Sequence, residues 1–118
     1  MKQIPESLLS NFRKYDTPTI VNSLEILDSK FRTSCFTTEQ MICADTTLPP
    51  IVGYARTATI SASSEVNPNT KRDRSLAYYE YVSSGTKPCI SVIQDVDESP
   101  GFGAFWGEVN SNIHNALG

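Results

Sequence analysis

The stretch IVGYARTATI (residues 51–60) decides how the rest of the sequence is read. From Val52 to Ile60 the larger side chains Val52, Tyr54, Arg56, Ala58 and Ile60 alternate with Gly53, Ala55, Thr57 and Thr59. A period of two belongs to a β-strand. The small residues on the second face leave room for close approach of another element or of a ligand. Arg56 stands in line with apolar neighbours. It therefore either points at a pocket as an anion clamp or pairs with a carboxylate.

Downstream, SSEVNPNTKRD reads as a loop and RSLAYYEYVSSG as a helix that Gly85 closes as a left-handed cap. The segment KPCISVIQDVD predicts a second strand, Cys89 to Gln94, buried and ending in acidic residues. A Gly-rich connection, ESPGFGAFWG, leads into a last helix from Gly107, with Val109, Ile113, Ala116 and Leu117 on one face. Upstream, IPESLLSNFRKY begins a helix at Pro5 and Glu6. YDTPTIVNSLEIL forms another, with Thr17 as cap and Pro18 at the first helical position. Residues 29–40 are polar and turn-rich and receive no assignment. MIC and LPPIVG read as extended. Helices alternating with strands give an α/β layout. No repeat, linker or low-complexity stretch divides the chain, so a single domain over 1–118 is expected.

With 118 residues, 39% hydrophobic and 19% charged, the sequence has the composition of a soluble globular domain with a core of its own. No apolar run reaches the ~18 residues a membrane helix needs, and MKQIPESLLSNFRKY has no secretory h-region. No membrane partner is expected. A net charge of −3 argues against a broad nucleic-acid surface. The one basic cluster, TKRDR (residues 70–74), is interrupted by Asp73 and reads as a solvated loop or helix start. Cys35, Cys43 and Cys89 lack metal-ligand spacing, which suggests buried thiols in a reducing cytoplasm.

The richest region for chemistry is Asp95 to Asn110. A strand ends at Asp95, a loop with Gly101 and Gly103 follows, and a helix opens near Gly107. Ligands of α/β proteins gather beyond the carboxyl ends of strands, and a helix N-terminus offers unpaired amides to an anion. A pocket for a small carboxylate or phosphate is therefore expected around the amides of Gly107, Glu108, Val109 and Asn110. Asp97 and Glu98 read as solvated loop acids, and Asp95 as the better-placed carboxylate. His114 reads as a surface residue among asparagines, and Trp106 as a packing residue.

Three blocks, YDTPTIVNSLE, IVGYARTATI and SVIQDVDESPGFGAFWGEVNSNIHNALG, resemble in order and spacing the RraA-like family. That family includes regulators of ribonuclease E activity and class II pyruvate aldolases acting on 4-hydroxy-4-methyl-2-oxoglutarate. The resemblance implies a swivelling β/β/α-type α/β fold assembled as a trimer or hexamer, with small 2-oxo acids as substrates. It implies Mg²⁺ or Mn²⁺ as cofactor, polarising the 2-keto oxygen and stabilising an enolate. By position, the amides from Gly107 through Val109 to Asn110 would bind the substrate carboxylate; Arg56 is a further candidate anion contact on its place in the strand alone. Glu108 would serve as acid/base group, and Asp95 or Glu108 in the metal's outer shell.

Two positions depart from the family pattern: Asn22 stands where Asp is usual, and Asn110 where an apolar residue is usual. The family's substrate-binding Arg and metal-binding Asp lie one strand beyond the Gly-Glu pair, which would be past Gly118. The resemblance thus covers the family's N-terminal half. It implies an incomplete lyase of the aldolase or oxaloacetate decarboxylase type, with a protein-binding regulator of a ribonuclease as the alternative.

Overall fold

The computed structural model describes residues 3–34, 36–38 and 40–118. They group into two compact units, residues 1–52 and 53–118. The chain mixes helix and strand as the sequence predicts, with helices in both units and one two-stranded parallel sheet in the second.

The first unit holds α1 (Glu6–Phe12), α2 (Thr17–Leu27) and a 3₁₀ turn (Ser29–Thr33). Leu9 on α1 is its buried apolar side chain among the described residues. Helix α2 is capped by Asp16, whose carboxylate accepts from the Thr19 amide at 2.9 Å. Thr17 and Pro18 are therefore its first two helical residues, and the cap sits one position before the Thr17 expected from the sequence. An acceptor there satisfies one of the amides a helix start leaves unpaired. Asp28 ends α2 and accepts from the Lys30 amide at 3.0 Å, which starts the 3₁₀ turn. Residues 41–53 form no strand. Cys43 is exposed, its Sγ donating to the Asp45 carbonyl at 3.2 Å, so it is not the buried thiol expected. Cys35 lies outside the described residues.

The second unit runs β1 (Tyr54–Ile60), α3 (Pro68–Ser83), β2 (Cys89–Asp95), α4 (Glu108–Leu117). The strands pair in parallel, from Tyr54 opposite Cys89 to Ile60 opposite Asp95. Parallel neighbours need a crossover, and α3 supplies it. The alternation read in β1 is realised: Tyr54, Arg56, Ala58 and Ile60 are half-buried, while Ala55, Thr57 and Thr59 are exposed. Strand β2 follows suit, with Val92 and Gln94 exposed, so it is covered on one face rather than buried on both. Helix α3 lies on the Arg56 face and sinks Val82 to 1% exposure. It begins at Pro68, with the Asn67 side chain accepting from the Asn69 amide at 2.9 Å. The Asn cap and the proline together start the helix three residues before Lys71. Thr70 to Arg74 thus lies at the start of the helix, the second of the two readings of that cluster, and the loop expected to run through Asp73 ends at Asn67.

Two glycines mark close approaches. A Cβ on Gly53 would lie 2.7 Å from the Pro88 carbonyl oxygen, which accepts from the Tyr54 amide at 2.9 Å and opens the strand pair. Gly85 does not take the left-handed conformation expected; Ser84 ends α3 in the right-handed helical region. Its role is space. A Cβ there would collide with Arg56 Nε. The Arg56 guanidinium stacks over the Tyr81 ring at 4.3 Å and donates to Ser84 Oγ at 3.3 Å. Its charge sits against the carbonyl end of α3, where the helix dipole favours a cation.

Replacing Gly85 with Ala should therefore lower stability by about 1–3 kcal/mol, as overpacking does. Urea unfolding of a double-mutant cycle with Arg56→Ala measures it. The penalty of Gly85→Ala should shrink once the guanidinium is gone; an unchanged penalty would mean that the Arg56 contact is not its cause.

Candidate anion-binding cleft

Two loops leave the carboxyl ends of the strands, residues 61–67 after β1 and residues 96–107 after β2. Asp97 ties them together. Its carboxylate accepts from the Ser61 hydroxyl, the Ser63 hydroxyl (2.7 Å), the Ala62 amide (2.7 Å) and the Ser63 amide (3.2 Å). Asp97 is buried, not the solvated loop acid expected. Its carboxyl is lowered from the usual 3.8 to about 2, first by the Ser61 and Ser63 hydroxyls and then by the Ala62 amide. Donors that bind only the ionised form favour it. Asp95 organises the second loop from within, accepting from the Asp97 amide at 3.0 Å and the Gly101 amide at 2.7 Å.

Beneath the clasped loops lies an open cleft of about 710 Å³, bordered by the ends of both strands, α3 and the start of α4. That volume is within the range of small-molecule sites. The side of α3 that faces it carries Lys71, Arg74, Ser75, Tyr78 and Tyr79, spaced i, i+3, i+4, i+7, i+8. One turn further, Val82 is buried. The cleft-side stripe of α3 is thus apolar at its C-terminal end and cationic at its N-terminal end. Neither Lys71 nor Arg74 forms an ion pair with a carboxylate among the described residues. The first turns of α3 and α4 both border the cleft, and the positive ends of their helix dipoles add to the potential there.

The far wall is built by interlocked polar groups. The Tyr79 hydroxyl donates to Asn110 Oδ1 at 2.7 Å, and Asn110 Nδ2 donates to the Phe105 carbonyl at 2.5 Å. His114 Nδ1 lies 2.6 Å from the Asn110 carbonyl oxygen, and Nε2 lies 2.8 Å from the Tyr78 hydroxyl. A carbonyl only accepts, so Nδ1 carries the hydrogen. In the neutral ring Nε2 then accepts from Tyr78. His114 is therefore half-buried between α3 and α4, not on the surface as expected from its asparagine neighbours. Trp106 packs edge-on against His114 (ring centroids 4.7 Å apart) and Phe105 (5.1 Å), with half of its surface still exposed.

Of the residues read as a site from the sequence, Asn110 alone among Gly107, Glu108, Val109 and Asn110 lines the cleft, and it does so with its side chain bonded. Gly107 is the extended cap residue of α4, Glu108 is exposed in its first turn, and Val109 is 72% exposed. The covered face of α4 is Asn110, Ile113, His114 and Leu117, rotated from the Val109-Ile113-Ala116-Leu117 face expected. Arg56 lies at the opposite end of α3 from the cleft, and the partner it finds is Tyr81 rather than an anion or a carboxylate.

The carboxylates at the ends of the strands are held by the protein's own donors. The Asp97 oxygens accept from four donors, and each Asp95 oxygen accepts from one amide. Among the described residues no three His, Cys, Asp or Glu side chains lie together in a way that could hold a metal ion. The cleft of the first unit, where Asn22 sits with Thr17, Phe36 and Gln40, carries no charged lining side chain among the described residues. No protein-family model, curated protein or solved structure matches the chain.

Because folding depresses the Asp97 carboxyl, its contribution to stability is fully present above about pH 4 and is lost as the pH falls toward about 2. Urea midpoints of the native protein should drop across that window. Asp97→Asn should lower the midpoint at pH 7 and flatten the drop below pH 4; a variant with the native acid profile would assign the profile to other carboxylates.

Proposed function

We propose that the cleft beyond the carboxyl ends of β1 and β2 binds a small organic anion, a carboxylate or a phosphate ester. One observation carries this reading: Lys71 and Arg74 lie on the cleft side of α3, border the cleft, and are not neutralised by an ion pair among the described residues. Along the stripe that leads to buried Val82, a packed helix would place apolar residues. Two exposed cations stand there instead, open to a ligand. The arrangement matches where α/β proteins hold ligands, and two helix starts add to its potential.

The RraA-like resemblance also implies an anionic ligand, but places its carboxylate at the amides that open the last helix rather than on α3. It implies a 2-oxo acid, so pyruvate is a suitable first probe. The metal-enolate step of the aldolases is not part of this proposal.

A second reading, a protein-binding regulator, draws on exposed apolar side chains. Phe102 is 79% exposed and Val109 72% exposed, and the outer sheet face shows Val92. Such residues suit an interface.

Titration with pyruvate and with inorganic phosphate, followed by amide chemical shifts, tests the anion reading. Shifts should concentrate at residues 61–75 and 105–111 and weaken with added salt. Lys71→Ala and Arg74→Ala should each reduce affinity about tenfold or more, as loss of a charge-assisted hydrogen bond does. Shifts that spread over the whole surface and persist in both variants would refute it.

A further inference from the structure

We infer that the cleft selects anions that also carry hydroxyl groups, an inference that rests on the anion-binding reading above and specifies its ligand class. The basis is where the hydroxyl protons of the lining go. Ser61 donates to Asp97. Ser64 and Ser61 are 2.9 Å apart, and with the Ser61 proton on Asp97 it is Ser64 that donates. Ser75 donates to the Lys71 carbonyl at 3.0 Å. Tyr79 donates to Asn110 Oδ1 at 2.7 Å; the Nδ2 bond to the Phe105 carbonyl fixes that amide's orientation. Tyr78 donates to His114 Nε2, because the His114 Nδ1 hydrogen is held by the Asn110 carbonyl.

Of the six hydroxyls that line the cleft or its rim, these five, all but Thr59, have their protons already engaged inside the protein. Each oxygen keeps lone pairs, so toward a ligand it can only accept. The free donors of the lining side chains are Lys71, Arg74, the Thr59 hydroxyl and the second amide proton of Asn110. The cleft is therefore divided: a cationic end that matches a carboxylate or phosphate, and a wall of acceptors that matches ligand donors. A hydroxyl supplies a proton to that wall; a keto oxygen or a bare alkyl chain does not. Sites built around hydrogen-bonded groups discriminate strongly against analogues that lack the partner, since the site's polar groups are then unmatched. A hydroxylated sugar acid or sugar phosphate fits both ends, and the volume of about 710 Å³ accommodates one.

The test compares D-gluconate with hexanoate, which share a six-carbon carboxylate and differ in hydroxyls, by calorimetric titration of the full chain. Inorganic phosphate serves as the simple anion. Gluconate should bind at least about tenfold more tightly than hexanoate, despite the greater hydrophobic drive of the latter. Tyr79→Phe should cut the gluconate affinity about threefold or more and leave hexanoate within about twofold. Ser75→Ala, which removes only a solvent-accessible hydroxyl bonded to its own helix, should do the same and keeps the test valid if the tyrosine variant fails to fold. Equal binding of the two acids, or tighter hexanoate binding, overturns the inference while leaving the anion reading standing. Failure of gluconate, hexanoate and phosphate alike to bind overturns both.

Discussion

The carboxylate of Asp97 is the contact on which the second unit's ligand-facing end depends. It comes from the loop after β2 and gathers two amides and two hydroxyls from the loop after β1. A two-stranded sheet has little cooperativity of its own, and the hydrogen-bond ladder stops at Val96 donating to Ile60. Beyond that point the two chains would diverge into solvent. Four donors converging on one ionised group hold them together instead, and the depressed carboxyl is the electrostatic signature of that convergence. With the loops joined, Ser61, Ala62 and Ala104 form a rim, and the space between that rim and α3 becomes a cleft.

The cleft's chemistry follows from how α3 is seated. Its C-terminal turns are anchored by Val82 and by the Arg56 guanidinium against Tyr81 and Ser84. The same helical face, carried toward the N-terminus, delivers Tyr78, Ser75, Arg74 and Lys71. A packed helix would repeat apolar residues there. Substituting cations and hydroxyls for them forgoes burial and opens a polar surface, which is the pattern of a helix that packs at one end and meets a ligand at the other. Tyr78 and Tyr79 are the hinge between the two regimes: their rings pack, and their hydroxyls lock His114 and Asn110 of α4.

Much of this architecture is legible in single residues. The two-residue period of Tyr54 to Ile60 identifies β1, and the acid-terminated run Cys89 to Asp95 identifies β2 within one residue. Gly107 before Glu108 marks the start of α4. What local pattern does not show is which partner a polar side chain finds across the fold. Asp97 and Glu98 are adjacent acids of similar propensity, yet Asp97 is bonded to a loop more than thirty residues earlier. His114 among asparagines looks solvated until α3 places Tyr78 beside it. Reading SSEVNPNTKRD as loop hides Lys71 and leaves Arg74 at the very start of the helix, although Asn67-Pro68 is a helix start. Counting the face backwards from Val82 through Tyr78 and Ser75 puts both cations on the cleft side. The candidate site accordingly lies on that face of α3 rather than at the amides of Gly107 to Asn110.

The most direct test of this account is amide hydrogen exchange at Ala62 and Ser63. The Asp97 clasp predicts that both amides exchange much more slowly than their loop neighbour Ser64, and that Asp97→Ala releases them while strand amides such as Tyr54 stay protected. Exchange at Ala62 and Ser63 as fast as at Ser64 in the native protein would contradict it, because the loops would then not be joined and the cleft would have no rim.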